Sequence, residues 1–235
     1  MSVASTLLII PTYNERENIA VLVSEIKKLY PKINILVVDD NSPDGTQDVV
    51  AELQSKFENI HLLKREKKAG LGQAYRAGID WARQYSYGHI IQMDADSSHR
   101  PVDLEKIMAA LSKFDFVVGS RRVPDGGVRN WEWYRRFLSW AGSFYASQVL
   151  GYNIKDWTGG FNGWNRRVLD RMDYQNCSSQ GYSFQIEMKL KALRLNFSSV
   201  EVPIIFEERR AGHSKMSFSI IIEALQQVWY LRKTH

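Results

Sequence analysis

The chain has 235 residues, 44% hydrophobic and 24% charged, which supplies a real core and excludes a disordered, charge-dominated segment. Its one cysteine, Cys177, excludes an internal disulfide framework and points to a reducing compartment. A formal net charge of +5 suits an acidic partner (nucleic acid, anionic lipid or phosphorylated substrate), although without a long basic run a mildly basic solvated surface explains it equally well.

The opening stretch STLLIIPTYN is too short an apolar run, and lacks the basic leader, for a signal peptide. No segment reaches the roughly 18 uninterrupted apolar residues of a spanning helix. A cytoplasmic protein is expected. Strand-like runs then follow in order: TLLIIPT, INILVVDD, IHLLKR, HIIQMDAD and FDFVVGS. Between the first pair, ENIAVLVSEIKKLY places Ile19, Leu22, Val23, Ile26 and Leu29 on one helical face. TQDVVAELQSKF does the same with Val49, Val50, Leu53 and Phe57. LGQAYRAGIDWARQ starts after a glycine-rich turn, and PVDLEKIMAAL carries proline where a missing N–H is harmless. This alternation predicts an α/β fold with right-handed crossovers and a mostly parallel central sheet flanked by helices.

Beyond Gly119 the pattern loosens. The aromatic segment NWEWYRRFLSWAGSFYASQVLG is followed by DWTGGFNGWNRRVL and the helix-like SFQIEMKLKALRL. The strand-like SSVEVPIIFEE and a helix-like MSFSIIIEALQQVWYLRK complete the chain. With no repeat, low-complexity stretch or linker, one domain over residues 1–235 is the economical expectation.

In parallel sheets, ligands sit beyond the carboxyl ends of the strands. PTYNE, DDNSPDG, DADSSH and GSRR all fall there. Alternate strand residues point the same way, so Asp94 and Asp96 are expected on one face, as oxygen ligands for a hard cation such as Mg2+ or Mn2+. A simple turn before Pro101 is the plainer reading, and the preceding buried strand weighs against it. Asp44 and Ser42 read as helix caps, whereas Asp40 reads as a strand-tip carboxylate open to the N–H donors of a nucleotide base. AGLGQAYRAG is not a dinucleotide fingerprint, because Tyr75 stands where glycine is required. Arg121, Arg209 and Lys215 supply the cationic complement for a diphosphate or a second phosphate.

Taken together, PTYNE, VVDDNSPDGT, the GLG-started helix, MDADSSH and the late ERRAGHSK resemble the GT-A glycosyltransferases of family 2. The similarity is greatest to the dolichyl-phosphate mannose synthases and their bacterial polyprenyl-phosphate relatives, in order from Leu7 to about Trp229. That resemblance implies a GT-A (Rossmann-like) fold with C-terminal acceptor-binding helices. Residues 1–120 would form the nucleotide-sugar half and residues 121–235 the acceptor side. It implies that Pro11, Tyr13, Glu15, Val38 and Asp40 hold the nucleoside of GDP-mannose. Asp94, Ala95 and Asp96 would lie against the diphosphate, with Asp94 and Asp96 as metal ligands and Asp96 the principal one. Arg121, Arg209 and Lys215 would bind phosphate at the reacting centre. Ser98 departs from relatives that have glutamine there as a further metal ligand.

The implied reaction inverts the anomeric centre by direct displacement. A lipid monophosphate, with a second pKa near about 6, is already largely dianionic and needs cations more than a general base. The implied partners are GDP-mannose, a polyprenyl or dolichyl phosphate and the cytoplasmic face of a membrane, with room for a separate membrane-anchoring subunit. A UDP-sugar donor is the alternative, because Asp40 suits uracil as well as guanine. A nucleic-acid-binding module using the 7 Trp and 11 Tyr ranks far lower. Clustered acids at the strand ends would repel a phosphate backbone, so no nucleic-acid partner is expected.

Overall fold

The computed structural model describes residues 3–177, 179, 181–208 and 218–234. In the first half, β1 (Thr6–Thr12), β2 (Asn34–Asp39), β3 (Ile60–Lys64), β4 (His89–Gln92) and β5 (Phe116–Ser120) alternate with α1 (Arg16–Leu29), α2 (Thr46–Lys56), α3 (Leu71–Ala82) and α4 (Leu104–Leu111). Next come β6 (Gly127–Val128), α5 (Trp133–Leu150), β7 (Asn162–Asn165), α6 (Arg166–Arg171) and α7 (Gly181–Arg194). The chain finishes with β8 (Ser199–Pro203), β9 (Ile205–Phe206) and α8 (Phe218–Thr234). Seven strands form one sheet in the order β3-β2-β1-β4-β7-β5-β8, and β6 pairs with β9 beside it. Only β7 runs antiparallel to its neighbours in the large sheet.

Both faces of this sheet are covered, which explains why TLLII is an unbroken apolar run rather than an alternating one. Leu8 and Ile10 enter a core with Ile19, Leu22 and Ile26 of α1 and Ile107 of α4. Leu7 and Ile9 point the other way, into a core with Tyr75 and Ile79 of α3 and Phe184 of α7. A third cluster joins Ala146 and Val149 of α5, Ile186 and Leu190 of α7, and Val228 and Leu231 of α8. Among the described residues no helix is long and apolar enough to cross a membrane.

Three expectations change. The strand expected through Asp96 ends at Gln92, so the acidic residues stand in a loop beyond it. SSVEVPIIFEE divides at Ile204 into β8 and β9, which belong to different sheets. NGWN, in which asparagine and glycine disfavour a strand, forms the interior strand β7. Tertiary fit explains this: Gly163 sits between Ile91 and Val117 in register and lies directly under α4. A Cβ built there would be 2.6 Å from Ile107 Cγ2 and 2.9 Å from Leu111 Cδ1. Gly163→Ala should therefore destabilise the protein by about 1–3 kcal/mol, the usual cost of overpacking. A thermal melt unchanged by the substitution would show that α4 is not seated this closely.

Candidate active site

At the carboxyl edge, β1 and β2 are held in register, Pro11 opposite Val38 and Thr12 opposite Asp39. The Asp40 N–H donates to the Thr12 carbonyl at 3.1 Å. Asp39, fully buried, organises the following loop. Its carboxylate accepts from Thr12 Oγ1 at 2.9 Å, the Ser42 N–H at 2.9 Å and Gln47 Nε2 at 2.7 Å. Asp44 accepts from the Thr46 N–H at 3.0 Å and the Arg16 N–H at 3.1 Å, so it ties the starts of α2 and α1 together. Thr46 and its own hydrogen bonds hold the Asp44 carboxyl below its ordinary pKa despite partial burial.

The expected nucleoside residues come together around this loop. Tyr13 lies under Lys68, whose Nζ is 3.9 Å from the ring centroid. Glu15 accepts from Asn18 Nδ2 at 2.7 Å. Asp40 is not the open carboxylate expected from its position. Its Oδ1 receives Arg65 Nη1 at 2.5 Å, and its Oδ2 receives the Ala69 N–H at 3.0 Å. Each oxygen keeps a second lone pair, so a base would share these acceptors with the protein. The Val38 side chain is fully buried near Gly78 of α3, which leaves its backbone as the part facing the edge.

Beyond β4, Met93 and Ala95 are buried in the core while the carboxylates between and after them turn toward the edge. The two differ in environment: the side chain of Asp94 is 30% exposed, whereas Asp96 is buried. Tyr75 Oη donates to Asp94 Oδ1 at 3.4 Å, and a Cβ on Gly160 would lie 3.7 Å from both Asp94 oxygens. Burial, with Asp94 close by, pushes the Tyr75 phenol well above its ordinary pKa and keeps it a donor. Asp96 Oδ1 accepts the Ser98 N–H at 3.0 Å across Ser97, which has a φ of 62°. Left-handed backbone at a serine is costly and recurs where function demands it. The Ser97 and Ser98 hydroxyls are buried with no hydrogen-bond partner among the described residues. Two carboxylates and orphaned hydroxyl oxygens form an oxygen-only donor set of the kind that suits Mg2+ or Mn2+. Among the described residues no three His, Cys, Asp or Glu side chains make a closed cage, so such a cation would complete its shell with substrate oxygens.

The guanidinium of Arg121, expected to bind phosphate, forks onto buried Asp156, Nε to Oδ2 and Nη2 to Oδ1, both at 2.7 Å, and Nη2 also reaches Thr158 Oγ1 at 2.9 Å. The rings of Phe206 and Trp131 lie 5.4 and 5.8 Å from it. Beneath, fully buried Lys189 donates to the carbonyls of Asp156, Trp157 and Gly159 at 3.2, 2.9 and 2.8 Å. Burial alone would raise the Asp156 pKa, but Arg121 and then Lys189 hold it far below the carboxylate range. Burial brings Lys189 down to about 7. Arg209 and Lys215 lie outside the described residues.

Sequence reasoning missed Asp39, Tyr75, His99, Asp156 and Lys189. The DWTGG stretch carried a signal, an acid before a glycine pair, but the lysine that binds its backbone carbonyls is 33 residues away. Replacing Asp156 by Asn should cost about 3–5 kcal/mol at neutral pH, because it leaves a buried cation without its counter-charge. A carboxyl with a depressed folded-state pKa stabilises the fold above its unfolded pKa of about 3.9, and loses that contribution as pH falls toward the folded value. The stability gap between wild type and Asp156→Asn, measured by urea unfolding, should be full at neutral pH and narrow below about pH 4. A gap independent of pH would contradict the ion pair.

Residues 7–173 match the family described as Glycosyl transferase family 2. The polyprenol monophosphomannose synthase of Mycolicibacterium smegmatis is 46% identical over 231 residues, covering 97% of this chain and 87% of that protein. The undecaprenyl-phosphate mannosyltransferase of Micrococcus luteus is 42% identical over 222 residues, 94% of this chain and 91% of that protein. Among solved structures, glucosyl-3-phosphoglycerate synthase from Mycobacterium tuberculosis, in complex with Mn2+, UDP and its product, superposes with a TM-score of 0.68. It is 16% identical, and the match covers 96% of this chain and 77% of that one. A Pyrobaculum calidifontis mannosyltransferase bound to GDP-mannose and Mn2+ gives 0.61 at 17% identity, over 98% of this chain and 70% of that one. At these identities the two structures speak for the GT-A fold alone. The chain is a glycosyltransferase, and it belongs to glycosyl transferase family 2.

Proposed function

We propose that the protein transfers mannose from GDP-mannose to a polyprenyl monophosphate, with inversion, forming polyprenyl-phosphate mannose. The observation that carries this reading is the Asp94–Asp96 loop beyond β4, whose two carboxylates precede the buried Ser97 and Ser98 hydroxyls. The names of both curated relatives supply the sugar and the lipid class. Pro11, Tyr13, Glu15, Val38 and Asp40 would hold the nucleoside, with Lys68 over Tyr13 as an added cation for phosphate. Asp94 and Asp96, with Ala95 between them, would hold Mg2+ or Mn2+ against the diphosphate, and a cation bound there neutralises charge on the departing nucleotide. Arg121, Arg209 and Lys215 would steady the phosphates.

The protein's contribution to the displacement is to bind, align and surround the reactants with fixed positive charge. The acceptor phosphate brings its own nucleophilic oxygen, so no side chain need remove a proton from it. In keeping with this, Glu187, the one acid of α7, is fully buried, accepting the Ser179 N–H at 3.0 Å and facing Lys191 at 3.4 Å. Asp96→Ala should abolish transfer to a short-chain polyprenyl phosphate while leaving the thermal melt near wild type. GDP-mannose should support turnover that UDP-glucose does not. Full activity of Asp96→Ala, or undiminished wild-type activity in excess EDTA, rejects the metal role, and turnover with UDP-glucose alone rejects the donor.

The acceptor's lipid tail calls for a membrane-facing surface, and α5 provides one. Its outer face exposes Trp133 at 79%, Phe137 at 58%, Phe144 at 52% and Trp140 at 48%. Trp229 and Tyr230 of the neighbouring α8 are also exposed, and Tyr145 Oη of α5 donates to the Leu225 carbonyl at 3.3 Å. Val228 and Leu231 turn inward, so α8 has both a docked and an outward side. Aromatics bordered by Arg129, Arg136 and Arg232 suit the lipid interface, where rings enter the acyl boundary and cations meet headgroups. This reading makes the protein peripheral on the cytoplasmic face. Trp133→Ser with Phe137→Ser should weaken co-flotation with anionic liposomes, and lower activity on long-chain acceptors more than on short soluble ones. Equal losses on both would assign the segment a purely structural role.

A further inference from the structure

Histidine 99 has been given no task by the reaction, yet its imidazole is buried to 1% exposure and touches three separate parts of the site. Its Nδ1 accepts the backbone N–H of Asp94 at 3.2 Å and lies 4.0 Å from Asp94 Oδ2. Accepting an N–H requires a lone pair, so the ring is neutral with its proton on Nε2. One face stacks on Phe161, centroids 4.8 Å apart, just after the Gly159–Gly160 pair. Phe206 of β9 meets the ring edge-on at 5.2 Å, and residue 99 also forms an isolated bridge with residue 206. The neighbouring Glu207 N–H donates to the Ser98 carbonyl at 2.9 Å.

These contacts have a common result. Asp94 follows the end of β4, and the histidine Nδ1 accepts its backbone N–H. The same ring is clamped by the turn that faces the Asp94 carboxylate and by the strand that closes over Arg121. We propose that His99 is a positioning residue that holds Asp94 in its ligand conformation, and that its Nδ1, rather than its bulk, does so. Groups that orient a metal's ligands commonly alter affinity by about 10–100-fold when removed. The inference rests on the reading of Asp94 and Asp96 as metal ligands.

Two substitutions separate the acceptor atom from the ring. His99→Phe keeps the stacked ring and removes the acceptor, whereas His99→Asn places an amide oxygen near the Nδ1 position and removes the ring. Mn2+ binding to the full chain is measured by electron paramagnetic resonance in the presence of GDP, with a parallel arm in UDP, alongside a thermal melt. The expected result is an Mn2+ affinity at least about tenfold weaker in His99→Phe, largely recovered in His99→Asn. If His99→Phe does not fold, His99→Gln, whose amide oxygen reaches toward the Nε2 position, takes its place in the comparison. Wild-type affinity in the acceptor-less variant overturns the proposal, as does equal weakening in both variants, which would assign the effect to packing. Failure of the wild type to bind Mn2+ with either nucleotide rejects the metal reading itself, and this inference with it.

Discussion

Burying Asp156 is the constraint around which the edge of the molecule is arranged. An isolated carboxylate in a protein interior is prohibitively costly, so it must be surrounded by cations and N–H donors. Arg121 arrives from the end of β5, and Lys189 from α7 lies beneath. Glu201 of β8 grips the backbone of the same turn, accepting the N–H groups of Lys155 and Asp156 at 2.7 and 2.9 Å. Four charged groups from four segments thereby fix the DWTGG turn. The turn in turn sets where Gly160 stands beneath Asp94, within van der Waals reach of both carboxylate oxygens. The acidic loop is positioned from below by charge and from the side by the aromatic ring of His99.

Strain marks the same edge. Asn14 after β1, Asn41 after β2 and Ser97 after β4 all have positive φ, at 60°, 58° and 62°. Asparagine tolerates this backbone well and serine less so. Three successive strand tips in left-handed geometry turn the chain sharply, so that side chains and N–H groups converge on a common space. Each is held by local bonds: Asn14 N–H to Ser42 Oγ, Asn41 Nδ2 to the Glu66 carbonyl, and Ser98 N–H to Asp96.

The parallel sheet was legible because strands such as TLLII and ILVV are apolar runs and the first two helices show a 3.6-residue stripe. The acidic tips were legible because carboxylates after such runs are chemically abrupt. What sequence periodicity does not reveal is a partner distant along the chain. Asp39 and Asp40 look alike in VVDD and both are buried, yet one organises its own loop through Thr12 and Gln47 while the other receives Arg65 and the Ala69 N–H from the segment after β3. Lys189 sits in SFQIEMKLKAL, where it reads as an ordinary helix-surface lysine. Its burial depends on carbonyls about thirty residues earlier. NGWN has only Trp164 as a strand-favouring residue and is strand all the same, its Gly163 fitting closely under α4.

The position of that short strand has a consequence for how the molecule is made. In space β7 lies between β4 and β5, but in the chain it follows both by more than forty residues. As the polypeptide leaves the ribosome, β3, β2, β1 and β4 can assemble, while β4 keeps an open edge and β5 stays unpaired until residue 165 emerges, β5 gaining its second neighbour only with β8. Exposed strand edges recruit other chains, and nonlocal pairing is slow. A nascent chain that stalls inside the aromatic α5 would therefore present open edges together with a row of exposed rings. Completion of β7 at residue 165 closes the β4 edge and joins β5 to the sheet.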